Sequence, residues 1–265
     1  MAAAVGQLGD DLMAETGDLV DLVTSLSPAG WETPTPAPGW SIRDQVGHLA
    51  FFDEQVTLAA TDPDAFARRR LEALADVDRF VDAAAGAARV CPVADLVPWL
   101  YEARHIMIEA TGAGDTERRI PWFGPDMSIA SALTARIMET WAHGQDVADA
   151  MGRTRAPSER LRHVCFLGYR SLPNSFRSRR LEVPEAPVRV VLEGTGGDPW
   201  TFGPPGAANQ VRGSALDFCL VVTQRRHRDD TDLVCEGAVS TQWLGIAQAF
   251  AGPPGPGRRP GQFAS

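Results

Sequence analysis

The hydrophobic pattern of the chain changes period between its two halves, and this change constrains the fold more than any other feature. Up to about residue 150, apolar residues recur at helical spacing in several long stretches. The later segment Val188–Glu193 alternates and is rich in β-branched residues, which is typical of a strand. The sequence therefore predicts an α+β protein in which a four-helix bundle is followed by a smaller mixed α/β domain.

The first part of the chain contains the elements of the bundle. Helical spacing covers residues from about 5 to 26, from Ser41 to about 61, from about 64 to 87, from about 94 to 111 and from about 128 to 150. Ser41 suits the N-cap of the second helix because Asp44 follows at the position of the acid in a capping box. Facing helices of a bundle commonly supply the ligands of a metal site, so we expect functional residues in this part.

A domain boundary is predicted at Gly152, a residue that can end the last bundle helix. Residues 1–152 would then form the bundle and residues 153–251 the α/β domain. In the second domain we predict helices over 158–171, 213–224 and 242–250, and strands over 188–193, 200–202 and 231–235. Residues 252–265 are rich in Pro and Gly, which predicts a disordered tail.

Composition and charge exclude several classes of function. The 265-residue chain carries a net charge of −9, which disfavours nucleic acids and anionic membranes as partners. A signal peptide and a stretch of 18 apolar residues are both absent, so we expect no membrane span and a cytoplasmic location. The four cysteines are widely spaced without a CxxC pair, which indicates reduced thiols rather than a zinc knuckle. No feature indicates an oligomeric state.

Two histidines and one glutamate form the candidate site. Glu139 and His143 are four residues apart on a predicted helix, which places their Cβ atoms about 5–6 Å apart on one face. His48 lies on another predicted helix, and all three have apolar neighbours. A divalent cation could balance such a charge, which is costly to bury alone. Three protein ligands with an open position are typical of a catalytic metal. A helix-surface salt bridge between Glu139 and His143 is the alternative.

The other polar residues that could contribute to this site are Asp146 and the remaining histidines. Asp146 follows His143 by three residues. It could accept a hydrogen bond from a ligand imidazole and so orient the ring, or it could face the solvent. The remaining histidines, His105, His163 and His227, are interpreted as structural or solvated residues.

Two distant segments resemble a known family. They are the run from Thr35 to Ala50, preceded by Trp31, and the run from Met138 to Asp146. Over residues 5–150 the chain resembles the mycothiol-dependent maleylpyruvate isomerase family, whose amino-terminal domain is a DinB-like metal-binding four-helix bundle. The resemblance implies that His48, Glu139 and His143 bind a divalent cation. Zinc is the usual ion of that family, and nickel, iron or manganese would also suit these ligands.

The resemblance also implies a contribution from the second domain. In the family this domain supplies an arginine to the active site, and the segment from Gly213 to Arg225 resembles the one that carries it. Family members have Gly-Arg where this chain has Gln224 and Arg225, so Arg226 and Arg228 are alternatives for the catalytic arginine. The expected cosubstrate is mycothiol.

The resemblance therefore implies a divalent-metal enzyme that activates a low-molecular-weight thiol. The thiol would isomerise, or be transferred to, a small electrophilic substrate with a carboxylate that an arginine can pair with. One alternative is a metal-dependent hydrolase with activated water, in which Asp146 or Glu102 would be the base. Another is a non-catalytic protein whose cation ties helices together. No local motif encodes the substrate or the metal.

Overall fold

The computed structural model describes residues 5–112 and 118–263, without the side chains of residues 77–79 and 81–84. The chain divides into two compact units, Met1–Arg155 and Ala156–Ser265. The first unit is helical and the second contains a mixed sheet with helices, which confirms the predicted α+β class. The division falls at Arg155, whereas the sequence placed it at Gly152.

The first unit is built on four long helices that pack against one another, α1, α2, α5 and α6. The elements of this unit are α1 (Val5–Val23), α2 (Ile42–Thr61), α3 (Pro63–Ala75), α4 (Val77–Val90), α5 (Val93–Gly112), β1 (Arg119–Ile120), β2 (Met127–Ser128) and α6 (Ile129–Ala150). The short strands β1 and β2 pair antiparallel just before α6 begins. None of the described helices combines the length and the apolar character that crossing a membrane requires.

The long helices form because each has an apolar face that the others cover. Leu8, Leu12 and Leu19 of α1 recur at helical spacing and are buried. Burial of one such side chain contributes about 1.5–3 kcal/mol to the free energy of folding. Their partners include Leu133 of α6 at one end of the bundle and Leu100 of α5 at the other.

The segment predicted as one helix over 64–87 is two helices, and the single-helix prediction is wrong in this respect. Asp76 separates α3 from α4 and has an extended conformation, with φ −155° and ψ 90°. Asp favours such helix boundaries because its side chain competes for backbone hydrogen bonds. The break lets α4 pack on α2, where a Cβ atom at Gly47 would collide with Ala88. Helix α4 therefore lies against the part of α2 that carries His48.

The second unit contains a four-stranded sheet in the order β4-β3-β5-β6, in which β3 and β5 are parallel and the other pairs antiparallel. Its elements are α7 (Leu161–Arg170), α8 (Leu172–Arg177), β3 (Val188–Glu193), β4 (Pro199–Phe202), β5 (Asn209–Ser214), α9 (Ala215–Val222), β6 (Val234–Glu236) and α10 (Ala238–Leu244). Val188, Val190 and Leu192 of β3 are buried at alternate positions, as the sequence predicted.

Three elements of this unit, α9, β5 and α10, differ clearly from the sequence prediction. The helix predicted from residue 213 begins at Ala215, because Ser214 is its N-cap and accepts a hydrogen bond from the Asp217 N–H at 3.0 Å. Residues just before it form β5, which the sequence analysis missed because the segment has little alternation. The last helix, predicted over 242–250, is α10 at Ala238–Leu244.

The predicted disordered tail is described up to residue 263, and residues 264–265 lie outside the described part. The Gly261 N–H donates to Asp230 at 2.7 Å, and the Arg226 guanidinium lies 4.3 Å from the centre of the Phe263 ring. Disorder of residues 252–265 stays a prediction.

Candidate metal centre

The structure brings the three candidate ligands together. His48 projects from α2, and Glu139 and His143 project from α6. One potential ligand atom from each of the three lies within 4.8 Å of the other two. His143 Nε2 is 3.2 Å from Glu139 Oε2 across one helical turn. The site therefore combines a local pair, set by the helical repeat, with a third residue supplied by helix packing.

The start of α2 fixes the position of His48 along the axis of the bundle. Ser41 is the N-cap, and its backbone N–H donates to Asp44 Oδ2 at 2.8 Å, as the predicted capping box requires. Arg89 of α4 donates through Nε to the other oxygen of Asp44 at 2.9 Å. Since Asp44 is held from two directions, the first turn of α2 is anchored and His48 lies on its next turn.

Aromatic side chains enclose the two imidazoles. The Trp40 ring centre is 5.0 Å from that of His48, and Trp40 stacks on His143 at 5.9 Å with an angle of 12° between the rings. The Phe52 ring lies 4.6 Å from His48 on the following turn of α2. These contacts restrict rotation of both imidazoles and shield them from part of the solvent.

Glu139 is a carboxylate at neutral pH. Burial by itself raises the pKa of Glu139, but the hydrogen bond and charge of His143 outweigh this effect, with help from Arg136. Together they lower the pKa from 4.5 to about 2. A carboxylate that remains ionised is a suitable ligand for a divalent cation.

A buried ionic network lies within the bundle beside Glu139. Asp53 accepts hydrogen bonds from Arg104 Nε and Arg136 Nε, each at 2.7 Å. Arg104 also donates to Thr16 at 2.6 Å and Thr140 at 3.0 Å. The positive charge of Arg136, one member of this network, favours the ionised form of Glu139. This network was not predicted from the sequence, although charged residues inside apolar helical stretches were a usable signal.

A glutamine behind His143 was also missed. Gln45 Oε1 contacts His143 Nδ1, and Gln45 lies one turn before His48 on the same face of α2. Asp146, the residue predicted to orient an imidazole, is buried in α6. The role of Asp146 stays a prediction.

Other candidate residues lie elsewhere in the first unit. Glu102 is exposed on α5 and lines a groove with Glu54 and Trp99. Trp99 Nε1 donates to Glu54 at 2.6 Å, so one acid of this groove is already engaged. His105 is exposed and stacks on Tyr101 with ring centres 6.4 Å apart. Its exposure fits the interpretation of a solvated residue.

The candidate arginines belong to the second unit. Arg225 follows α9 and donates through Nη1 to the Thr223 carbonyl oxygen at 2.6 Å. Arg228 donates to the Thr241 carbonyl oxygen at 3.2 Å. His227 accepts the Asp229 N–H through Nδ1 at 3.2 Å and so has a structural role. The catalytic role of Arg225, with Arg226 and Arg228 as alternatives, stays a prediction.

The donor set fits a divalent transition metal. Two imidazole nitrogens and one carboxylate oxygen are ligands that zinc, nickel, iron and manganese accept in proteins. Because zinc typically takes four ligands and these residues offer three, a cation held by them would keep a position for water or another ligand.

Comparison with protein families gives a match to the first unit. The model described as the mycothiol maleylpyruvate isomerase N-terminal domain matches residues 12–148. Two uncharacterized proteins from Mycobacterium tuberculosis, one each from strains CDC 1551 and H37Rv, are 47% identical to this chain over 249 residues. The alignment covers 94% of this chain and 96% of each relative.

Two solved structures share the fold. The crystal structure of mycothiol-dependent maleylpyruvate isomerase has a TM-score of 0.59 at 11% identity, covering 84% of this chain and 90% of that one. A point mutant of the same enzyme has the same TM-score and identity, covering 88% and 93%. At this identity the likeness establishes the common fold.

Proposed function

We propose, because the chain belongs to the family defined by the mycothiol maleylpyruvate isomerase N-terminal domain, that it is a divalent-metal enzyme that activates a low-molecular-weight thiol. The observation that carries this proposal is the convergence of His48, Glu139 and His143, with ligand atoms within 4.8 Å of one another. Mycothiol is the thiol that the family name indicates.

The protein groups hold and orient the reacting centre. Glu139 would provide the single negative charge among the ligands, and the two imidazoles would bind through uncharged nitrogens. Trp40 and Phe52 cover the imidazoles and lower the local polarity, which strengthens electrostatic interactions there. A bound divalent cation supplies the Lewis acidity that deprotonates a thiol near neutral pH.

The activated thiol supports two related reactions on a small electrophile. In an isomerisation the thiolate adds to a cis double bond, the resulting single bond rotates, and elimination gives the trans product and returns the thiol. In an S-transfer the sulfur remains on the product. Arg225 would pair with a substrate carboxylate through two parallel N–H groups.

The test is a titration of the cobalt-substituted protein with mycothiol. Binding of thiolate sulfur to the cobalt ion should produce a new charge-transfer absorbance in the near ultraviolet. The His143→Ala protein, treated with the same cobalt and thiol, provides the control and should show no such band. Cobalt binding without any spectral response to the thiol would contradict thiol activation.

A further inference from the structure

Gln45 is a buried amide that connects His143 to the loop before α2. It is 0% exposed, and its Oε1 contacts His143 Nδ1. Its Nε2 lies 2.7 Å from the hydroxyl oxygen of Thr35. The Thr35 hydroxyl in turn lies 2.9 Å from the Trp40 carbonyl oxygen. These four groups form a continuous chain of hydrogen bonds that ends at a cation ligand.

The direction of each bond follows from the chemistry of the Trp40 carbonyl. A carbonyl oxygen only accepts, so the single proton of the Thr35 hydroxyl is donated to Trp40. The Thr35 oxygen can then only accept from Gln45, which places the amide N–H₂ group of Gln45 on that side. The amide oxygen of Gln45 consequently faces His143 and needs a proton from Nδ1. His143 Nδ1 therefore carries a hydrogen, and Nε2 is the nitrogen that is left to bind an ion.

The loop that carries Thr35 and Trp40 is itself fixed. The Thr35 N–H donates to the Trp40 carbonyl oxygen at 2.8 Å, and the Ile42 N–H donates to the Thr33 carbonyl oxygen at 3.1 Å. Trp40 also stacks on the His143 ring. Because this loop holds its own shape, it can impose an orientation on Gln45 and, through it, on the imidazole.

We infer that Gln45 is a positioning residue for the cation site, which selects the Nδ1–H tautomer of His143 and aims Nε2 at Glu139 and His48. This inference rests on the proposed function only in requiring that the site binds a cation. Partners that orient a ligand imidazole in this way typically change metal affinity by about 10–100-fold.

The experiment measures zinc affinity by competition with a chromophoric chelator for the full-length chain and three variants. Gln45→Met keeps the side-chain volume and removes the acceptor, and should weaken zinc binding about 10–100-fold. Gln45→Glu keeps an oxygen for the Nδ1–H group and should restore most of the affinity. Gln55→Met is the matched control, because Gln55 is also buried in α2 but donates to the Phe51 carbonyl oxygen. It should bind zinc like the unchanged protein.

A second readout separates positioning from a structural role. Long-range ¹H–¹⁵N spectra of the unchanged, zinc-loaded protein should show a hydrogen on His143 Nδ1 and the metal on Nε2. Equal zinc affinity of Gln45→Met and the unchanged protein, or a spectrum with the hydrogen on Nε2, would overturn the inference. If circular dichroism shows that Gln45→Met does not fold, the position of the His143 hydrogen in the spectrum of the unchanged protein decides whether the inference holds. An unchanged protein that binds no zinc, nickel, iron or manganese would instead overturn the proposed function.

Discussion

Glu139 sets the charge of the candidate site at the scale of single residues. With one ionised carboxylate and two uncharged imidazoles, a divalent cation keeps one excess positive charge. An anionic thiolate would neutralise that charge. A second carboxylate among the ligands would already have neutralised it and would have weakened the attraction of the site for a thiolate. The ligand set therefore agrees with activation of a thiol.

His143 is the candidate ligand whose loss should affect metal binding most directly. His143→Ala removes the imidazole that both Glu139 and Gln45 contact, so metal content and activity should be lost while the far-ultraviolet circular dichroism is unchanged. Elemental analysis and a turnover assay provide the measurements. His105→Ala is the control, since His105 is exposed on α5 and should tolerate the change. Full metal content in His143→Ala would refute its assignment as a ligand.

At the scale of elements, the buried network joins the four long helices of the first unit. Thr16 lies on α1, Asp53 on α2, Arg104 on α5, and Arg136 on α6. Burial lowers the pKa of the Arg104 guanidinium, and the charge of Asp53 opposes this effect. The network thus links the helix that carries His48 to the helix that carries Glu139 and His143.

Asp53→Asn tests the energetic role of this network. The substitution leaves two buried guanidiniums without their carboxylate, so it should lower the free energy of unfolding by about 3–5 kcal/mol. Equilibrium unfolding in urea provides the measurement. Asp21→Asn, on the exposed face of α1, is the control and should change stability by less than about 0.5 kcal/mol. A stable Asp53→Asn protein would show that the network contributes little to the bundle.

At the scale of the whole molecule, the proposed metal binding and the proposed recognition of a substrate carboxylate belong to different compact units. The three candidate ligands lie entirely in the helical unit, and the candidate arginines lie entirely in the unit with the sheet. Metal binding and recognition of a substrate carboxylate should therefore respond independently to substitution.

Arg225→Ala measures the contribution of the second unit. If Arg225 pairs with a substrate carboxylate, its replacement should lower turnover by one to several orders of magnitude and leave metal content unchanged. Arg212→Ala, which changes an exposed arginine of β5, is the control. Steady-state kinetics on a carboxylate-bearing electrophile with mycothiol provide the measurement. Unchanged kinetics for Arg225→Ala would indicate that Arg226 or Arg228 pairs with the carboxylate instead, or that no arginine of this segment does.

The sequence by itself determined the features that depend on local spacing. The apolar repeat defined the long helices because a helical face must be buried, and it marked β3 because alternation suits a half-buried strand. The i,i+4 spacing placed Glu139 and His143 on one face, and Ser41 with Asp44 marked the start of α2. His48 joined the pair as a histidine with apolar neighbours on another predicted helix, and the match of two distant segments to one family supported all three residues.

Only the tertiary structure decided which side chains of different elements meet. Gln45 and His143 are far apart in the chain, and so are Asp53 and Arg136, so no local pattern carries their contacts. Strand β5 exists because it pairs with β3, a pairing that its own residues barely signal. Long-range contacts depend on how helices and strands pack, and that packing minimises the free energy of the whole chain rather than of any one segment.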